Sequence, residues 1–300
     1  MAAGWQFIEE IIKDLSQYNI SSLNIISPLL FDSWPMDMIK TSGCKISPNA
    51  AIAEDAQIFA DDTSEITIES GVIIHSKIRI LASQGSRITI KSNTQLKEEV
   101  FISAEDGMIT IGAFSYLSEK SSLIANQKSA ISMGANAVMG EKSSLFAQKG
   151  SSIRIGNKIH LAEKANMRAE QDSAIRANRN LSLGDGASIH ANKKGLIQID
   201  HHVFLDKDSN ISAYQKGDVK ISHHFSLGKL SHVGATNKAL IKIGHHIGIG
   251  KSATIGANNS GELCLGNRSW IGDNTTCGSV NRAEVKLGSE IRLSNYGSLV

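Results

Sequence analysis

Residues 133–154 read MGANAVMGEKSSLFAQKGSSIR, and residues 155–176, IGNKIHLAEKANMRAEQDSAIR, repeat the same pattern. From Ile46 onward the chain can be written in rows of 22 residues, with one row a residue short. The first, seventh, thirteenth and twenty-first positions hold Ile, Leu, Val or Met, with Ala177 and Cys277 as the exceptions. The fifteenth position is Ala in ten of the eleven rows that reach it. Such agreement identifies an internal repeat.

The spacing of the apolar positions predicts the fold. Gaps of 6, 6, 8 and 2 residues match neither the period of a helix nor that of a long strand. They match a coil of short strands and sharp bends, with small residues at the bends. Stacking equivalent positions about 4.8 Å apart pairs each rung with its neighbours. We therefore predict an all-β fold for residues 46–300, a parallel β-helix solenoid of eleven to twelve rungs with about 22 residues each.

Residues 1–45 lie outside the repeat. The stretch GWQFIEEIIKDLSQY places Trp5, Ile8, Ile12 and Leu15 on one side of a helix. We predict a short N-terminal α-helical cap over the open edge of the first rung, with a partner-binding helix as the alternative. The final residues, NYGSLV, show no comparable cap. The last rung is therefore interpreted as a stacking surface, or as a point where the natural chain continues.

Composition narrows the classes of partner and compartment. Lysine and arginine number 31 and acidic residues 29, a net charge of +2 that gives no reason to expect nucleic acid. Three separated cysteines predict reduced thiols and a cytoplasmic location. The N-terminus lacks the basic region of a signal peptide, and no run of 18 apolar residues predicts a membrane span.

Paired histidines recur at 201–202, 223–224 and 245–246, so that each pair is 22 residues from the next. In a stacked solenoid they form two ladders at a bend, and we predict a substrate-binding role for the later two pairs. Stacked structural rings and a transition-metal site are the alternatives. Parallel side chains on a flat ladder converge poorly for a metal, and winding alone explains the spacing of 22, so no metal is predicted. The substrate-binding set is His223, His224, His245 and His246.

The first twelve positions of a row form two hexapeptides, as in MGANAVMGEKSS (133–144) and, running further, IGKSATIGANNS (249–260). These segments resemble the hexapeptide-repeat transferase superfamily, and the resemblance covers residues 46–300. It implies a left-handed β-helix with three sides. Each rung here carries four residues more than three hexapeptides, which leaves a right-handed β-helix as the alternative.

The same resemblance implies an acyl-CoA-dependent acyltransferase, a homotrimer that transfers an acetyl group to oxygen or nitrogen of a sugar or nucleotide-sugar. His232, in LSHVGATNKALIKIG, matches the context of the catalytic histidine and would be the general base. Trp270 would stack on the adenine of acetyl-CoA or another acyl-CoA. Lys220 and Lys242 belong to a basic column that would hold its phosphates. Each of these residues also has a structural alternative. His232 would be a plain surface histidine, Trp270 would cover the edge of a rung, and the basic column would be a solvated edge.

The regularity of the repeat favours other functions. Acyltransferases of this superfamily usually interrupt a rung with a long loop, and no such loop is evident between residues 46 and 300. A non-catalytic scaffold or a polymer-forming protein similar to bactofilins is therefore the main alternative, followed by a polysaccharide-binding spike.

Overall fold

The computed structural model describes residues 43–214, 218–234, 240–256, 262–264, 266–278, 284–286 and 288–299. Within these ranges the chain contains strands and bends but no helix, so none there is long and apolar enough to cross a lipid bilayer. The strands form three parallel sheets of 12 strands each. This confirms the predicted parallel solenoid. The predicted cap falls almost entirely on residues 1–42, outside the described residues, and the hand of the coil stays a prediction.

The strands are numbered β1 to β36 in chain order, and each sheet takes every third strand. Sheet 1 contains β1 (Cys44–Ile46), β4 (Glu65–Ile68), β7 (Arg87–Ile90), β10 (Met108–Ile111), β13 (Ala130–Met133), β16 (Ser152–Ile155), β19 (Ala174–Ala177), β22 (Leu196–Ile197), β25 (Asp218–Val219), β28 (Leu240–Ile241), β31 (Glu262–Cys264) and β34 (Glu284–Lys286). Sheet 2 contains β2 (Ala51–Ile52), β5 (Ile73–Ile74), β8 (Gln95–Leu96), β11 (Tyr116–Leu117), β14 (Val138–Met139), β17 (His160–Leu161), β20 (Arg179–Leu183), β23 (His201–Leu205), β26 (Phe225–Leu227), β29 (Ile247–Ile249), β32 (Trp270–Ile271) and β35 (Arg292–Leu293). Sheet 3 contains β3 (Gln57–Ala60), β6 (Arg79–Ser83), β9 (Phe101–Glu105), β12 (Ser122–Asn126), β15 (Ser144–Gln148), β18 (Asn166–Glu170), β21 (Ser188–Asn192), β24 (Asn210–Tyr214), β27 (His232–Val233), β30 (Thr254–Ile255), β33 (Thr276–Cys277) and β36 (Ser298–Leu299).

The sheets stack in register, one row of the repeat over the next. Ile109 pairs with Ile131, 22 residues later, and with Ile88, 21 residues earlier, where the short row falls. The apolar columns become buried ladders inside the coil; Ile58, Ile80 and Ile102 are fully buried. The repeat read from the sequence is therefore the physical rung of the solenoid.

The described part of the alanine column is buried in the core. Ala125, Ala147 and Ala169 have no exposed surface and pair with one another on β12, β15 and β18. The strands of sheet 3 from β3 to β24 thus point two side chains inward, a large one and then an alanine. Packing at the density of a protein interior leaves little room for a larger group beside the alanine ladder.

The bends differ from the expectation that glycine or small residues would form them. Many bends place a lysine in the left-handed region, including Lys120, Lys142 and Lys164 with φ of 57–58°. The cost of this conformation is offset by hydrogen bonds between rungs: the Lys142 and Lys164 amides donate to carbonyls one rung earlier. Glycine is found instead where the backbones of successive rungs stack too closely to admit a Cβ atom. A Cβ on Gly134 would lie 2.5 Å from the carbonyl carbon of Gly156.

Buried serines also form ladders. The Ser151 amide donates to Ser129 Oγ at 3.1 Å, and the Ser173 amide donates to Ser151 Oγ at 3.2 Å. Each hydroxyl therefore satisfies a backbone group at a bend, where the regular strand pairing is interrupted.

Enlarging the alanine ladder should destabilise the solenoid. We expect Ala147→Leu to lower the free energy of unfolding by about 1–3 kcal/mol, because a fully packed site must shift to admit the larger side chain. Denaturant unfolding followed by circular dichroism measures the change. Val138→Leu, at a site that is 36% exposed, is the control and should leave the midpoint nearly unchanged. Equal midpoints of unfolding for the two variants would show that the core beside the alanine ladder is not tightly packed.

Candidate functional site

The outward side of sheet 3 carries an unusual set of buried polar groups in its middle rungs. Side chains alternate along a strand, so the residues between the core positions point away from the apolar core. On β15, β18 and β24 several of these outward residues are nevertheless buried, with Glu170 5% exposed, and the outward residues of β21 are half-buried. We call this set the Glu170 cluster; it contains Gln148, Arg168, Glu170, His190, Asn192 and Tyr214.

The carboxylate of Glu170 is the centre of this cluster. Arg168, two residues earlier on the same strand, donates from Nε to Glu170 Oε1 at 2.6 Å and contacts it through a second guanidinium nitrogen. Gln148 Nε2 on the preceding rung donates to Oε1 at 2.9 Å, and Asn192 Nδ2 on the following rung donates to Oε2 at 3.1 Å. The guanidinium carbon lies 5.0 Å from the ring centroid of Phe146. Three successive rungs therefore satisfy one buried charge.

Burial alone would raise the pKa of Glu170. The contacts with His190 and with the Arg168 guanidinium outweigh burial, so the pKa lies below its usual value. The distance from His190 Nε2 to Glu170 Oε2 is 3.6 Å, too long for a strong hydrogen bond, so we regard that contact as electrostatic. Glu170 is a carboxylate at neutral pH.

A phenol and an imidazole extend the cluster along the solenoid. The Tyr214 hydroxyl lies 3.1 Å from His190 Nδ1, and the two rings meet edge to face with centroids 5.1 Å apart. Burial, followed by the charge of Glu170, raises the pKa of Tyr214, while a hydrogen bond with Ser212 opposes the shift. The phenol is therefore protonated at neutral pH and can donate a hydrogen bond.

His232 begins β27 on this same sheet, one rung beyond β24. Its Nε2 lies 3.5 Å from the hydroxyl oxygen of Ser212, a buried residue. Burial lowers the pKa of His232 below its usual value, so the imidazole is neutral near pH 7. The candidate general base thus adjoins the Glu170 cluster through Ser212.

The paired histidines lie where the chain enters sheet 2: the first pair begins β23, and the later two pairs directly precede β26 and β29. His202, His224 and His246 form an outer ladder whose rings are nearly parallel, with centroids 4.9 and 4.7 Å apart. All three have φ between 54° and 57°. Desolvation and the neighbouring histidines lower the pKa of His224. Stacking of like rings on successive rungs is therefore present, as the structural alternative expects.

His201, His223 and His245 form an inner ladder with centroid distances of 4.1 and 4.8 Å. Asp200, which precedes His201, contacts the first two members. Potential ligand atoms of Asp200, His201 and His223 all lie within 4.8 Å of one another. Reasoning from the histidine columns alone missed this carboxylate; an acid directly before the first pair was the available signal.

The proposed coenzyme-binding residues lie elsewhere. Trp270 is 52% exposed on sheet 2, and its ring covers Gly248, where an added Cβ would meet ring carbons at 2.3 Å. Lys220 and Lys242 directly follow β25 and β28 of sheet 1; their ammonium nitrogens lie 3.9 and 3.8 Å from carboxylates. The residues predicted to act together therefore belong to three different sheets or bends of one chain.

Comparison with known proteins assigns neither a family nor a function to this chain. No family model matches the chain, and no curated protein is similar to it. The residues and their geometry are therefore the basis for a functional proposal.

Removing the charge of Glu170 should destabilise the chain in a pH-dependent way. Because the folded-state pKa is lowered, its contribution is present above the ordinary value near 4.5 and is lost as pH falls through the folded-state pKa. We expect Glu170→Gln to cost about 3 kcal/mol at pH 7, since it leaves the guanidinium of Arg168 unpaired, and the difference from the parent chain to shrink at pH 3. Denaturant unfolding at both pH values measures this.

Glu141→Gln is the matched control. The Glu141 side chain is 42% exposed and pairs with Lys142 at the surface, so its loss should change stability by less than about 1 kcal/mol. An equal cost for the two variants would contradict the central role of Glu170.

Proposed function

We propose that this chain is an acyltransferase in which His232 is the general base and acetyl-CoA or another acyl-CoA is the donor. The observation that carries the proposal is the His232–Ser212 pair: a half-buried imidazole of lowered pKa, with Nε2 3.5 Å from a buried hydroxyl. A base of this kind is unprotonated at neutral pH and available to accept a proton.

The reaction needs one proton acceptor and one carbonyl centre. His232 takes the proton of an acceptor hydroxyl or amine as that oxygen or nitrogen attacks the thioester carbonyl. The carbon–sulfur bond breaks, and the imidazolium returns the proton to the departing thiolate. The products are an ester or amide and free coenzyme A, with His232 regenerated. Ser212 acts as a positioning residue for the imidazole.

The acceptor in this proposal is a saccharide, and the histidine ladders supply hydrogen-bonding groups for it. His223, His224, His245 and His246 lie at the bend before sheet 2, whereas His232 lies on sheet 3. Within one chain these histidines therefore lie on a different sheet or bend from His232. The same is true of Trp270 and the two lysines. We therefore include in the proposal a homotrimer in which a neighbouring copy brings its sheet 2 to the sheet 3 of the first.

Replacing His232 should abolish transfer. We expect His232→Ala to reduce kcat/KM by at least about 100-fold, the usual contribution of a general base. Release of free thiol from acetyl-CoA, measured with a chromogenic disulfide over a saccharide panel, gives the rate. In the parent chain kcat/KM should decrease toward acid pH with a midpoint below pH 6.5, because the pKa of His232 is lowered.

His160→Ala is the control, because His160 is exposed on β17 of sheet 2 and takes no part in the proposal. Its rate should match that of the parent chain. The proposal fails if acetyl-CoA neither binds in calorimetry nor releases thiol with any acceptor, or if His232→Ala and His160→Ala behave alike.

A scaffold function is the second candidate, and the regular register favours it. Successive rungs pair strand for strand from β1 to β36, and no inserted loop breaks the continuous described range 43–214. A solenoid of this kind can polymerise or present a long surface to a polysaccharide. Filaments by electron microscopy that persist in His232→Ala would favour a polymer, and retention on a glycan array would favour a polysaccharide-binding spike. A discrete trimer by light scattering would favour the enzyme.

A further inference from the structure

The two histidine ladders differ in the angle between their rings. In the outer ladder the planes of His202 and His224 are 3° apart, and those of His224 and His246 are 7° apart. In the inner ladder the planes of His201 and His223 are tilted by 51°, with centroids 4.1 Å apart. Stacking of like rings explains the first arrangement but not the second. The inner rings depart from parallel stacking beside Asp200.

Asp200 faces both tilted rings through their Nδ1 atoms. One carboxylate oxygen contacts His201 Nδ1, and the other lies 3.5 Å from His223 Nδ1. Both nitrogen atoms are buried within partly exposed rings, and neither makes a hydrogen bond of acceptable geometry within the described part of the chain. Two ring nitrogens that lack a hydrogen bond of acceptable geometry and the carboxylate that they face therefore lie within 4.8 Å of one another.

The preceding rung fixes the carboxylate. Asn178 Nδ2 donates a long hydrogen bond of 3.3 Å to Asp200 Oδ1, the same oxygen that contacts His201 Nδ1, and so helps to orient the carboxylate. The backbone holds the two histidines at adjacent rungs, since the His224 amide donates to the His201 carbonyl at 3.2 Å. Backbone pairing thus fixes the main-chain positions of these residues, and only rotation of their side chains is needed to bind an ion.

We infer that Asp200, His201 and His223 bind a divalent transition-metal ion such as Zn²⁺. Two imidazole nitrogens and one carboxylate oxygen are a ligand set that suits such ions, with the fourth position open to water. Ligand atoms around tetrahedral zinc are about 3.3 Å apart. The three candidate atoms lie within 4.8 Å of one another, with His223 Nδ1 3.5 Å from Asp200 and His201 Nδ1 in direct contact with Asp200, so rotation of the His201 and Asp200 side chains would have to admit the ion. The ion would link His201 on one rung to His223 on the next, and it would occupy the His223 imidazole that the proposed function assigns to the acceptor.

A metal at Asp200, His201 and His223 differs from the sequence-based prediction, in which the ladders hold no metal. That expectation considered the histidine columns alone, in which side chains run parallel. Asp200 lies outside those columns and approaches from the side, so the rings converge on the carboxylate instead of on one another.

Calorimetric titration of ZnCl₂ into untagged, chelator-treated full-length chain tests the site. We expect saturable binding of one ion per chain, and no comparable heat from MgCl₂, which prefers oxygen ligands. His223→Ala and Asp200→Asn should each weaken binding at least about tenfold. His224→Asn is the matched control on the same rung, since asparagine tolerates the φ of 54° at that position, and its affinity should stay within twofold of the parent.

Two further measurements separate a real site from a general effect of histidine. Co²⁺ should give visible ligand-field absorption in the parent and in His224→Asn, but not in Asp200→Asn. At one fixed concentration, Zn²⁺ should raise the melting temperature of the parent more than that of Asp200→Asn. Circular dichroism of the metal-free variants checks folding; if His223→Ala does not fold, Asp200→Asn decides. Absence of zinc binding, or equal weakening in His223→Ala and His224→Asn, would overturn the inference.

Discussion

In-register stacking of successive rungs is the constraint on which the rest of the structure depends. Each backbone segment pairs with the segment one row before and one row after it, so every side chain lies over its equivalent about 4.8 Å away. A residue type that suits a position on one rung therefore suits it on the next. The isoleucine ladders, the alanine ladder and the buried serines that accept amide hydrogen bonds are all consequences of this single pairing rule.

Polar clusters form where the residue type of a column changes from rung to rung. The outward positions of β15, β18, β21 and β24 carry different polar groups from rung to rung, so donors and acceptors are stacked instead of identical side chains. Glu170 is surrounded in this way by an amide below, an amide above and a guanidinium beside it. Regular columns stabilise the solenoid through repetition, whereas mixed columns allow a buried charge to be satisfied across three rungs.

The sequence was sufficient to predict what repeats. The apolar columns predicted the rungs, and the paired histidines predicted the ladders, because both recur at the length of a rung. The Glu170 cluster was not predicted, since its columns change residue type from one rung to the next. Asp200 was missed because it is a single aspartate in a column where glycine is the residue that recurs. The left-handed lysine bends were also unexpected, because hydrogen bonds between rungs, rather than residue propensity, stabilise them. The hand of the coil and the N-terminal cap stay predictions.

The same stacking also limits what one chain can do. Side chains on different sheets point in different directions, and no described segment of the continuous range 43–214 folds back to bring them together. Groups on one sheet, such as His232 and Ser212, can cooperate within a chain. His232 and Trp270 begin strands of different sheets, and in the proposed trimer they would share a ligand across an interface between copies. In that proposal the single chain provides local binding, and the assembly provides the multi-component chemistry.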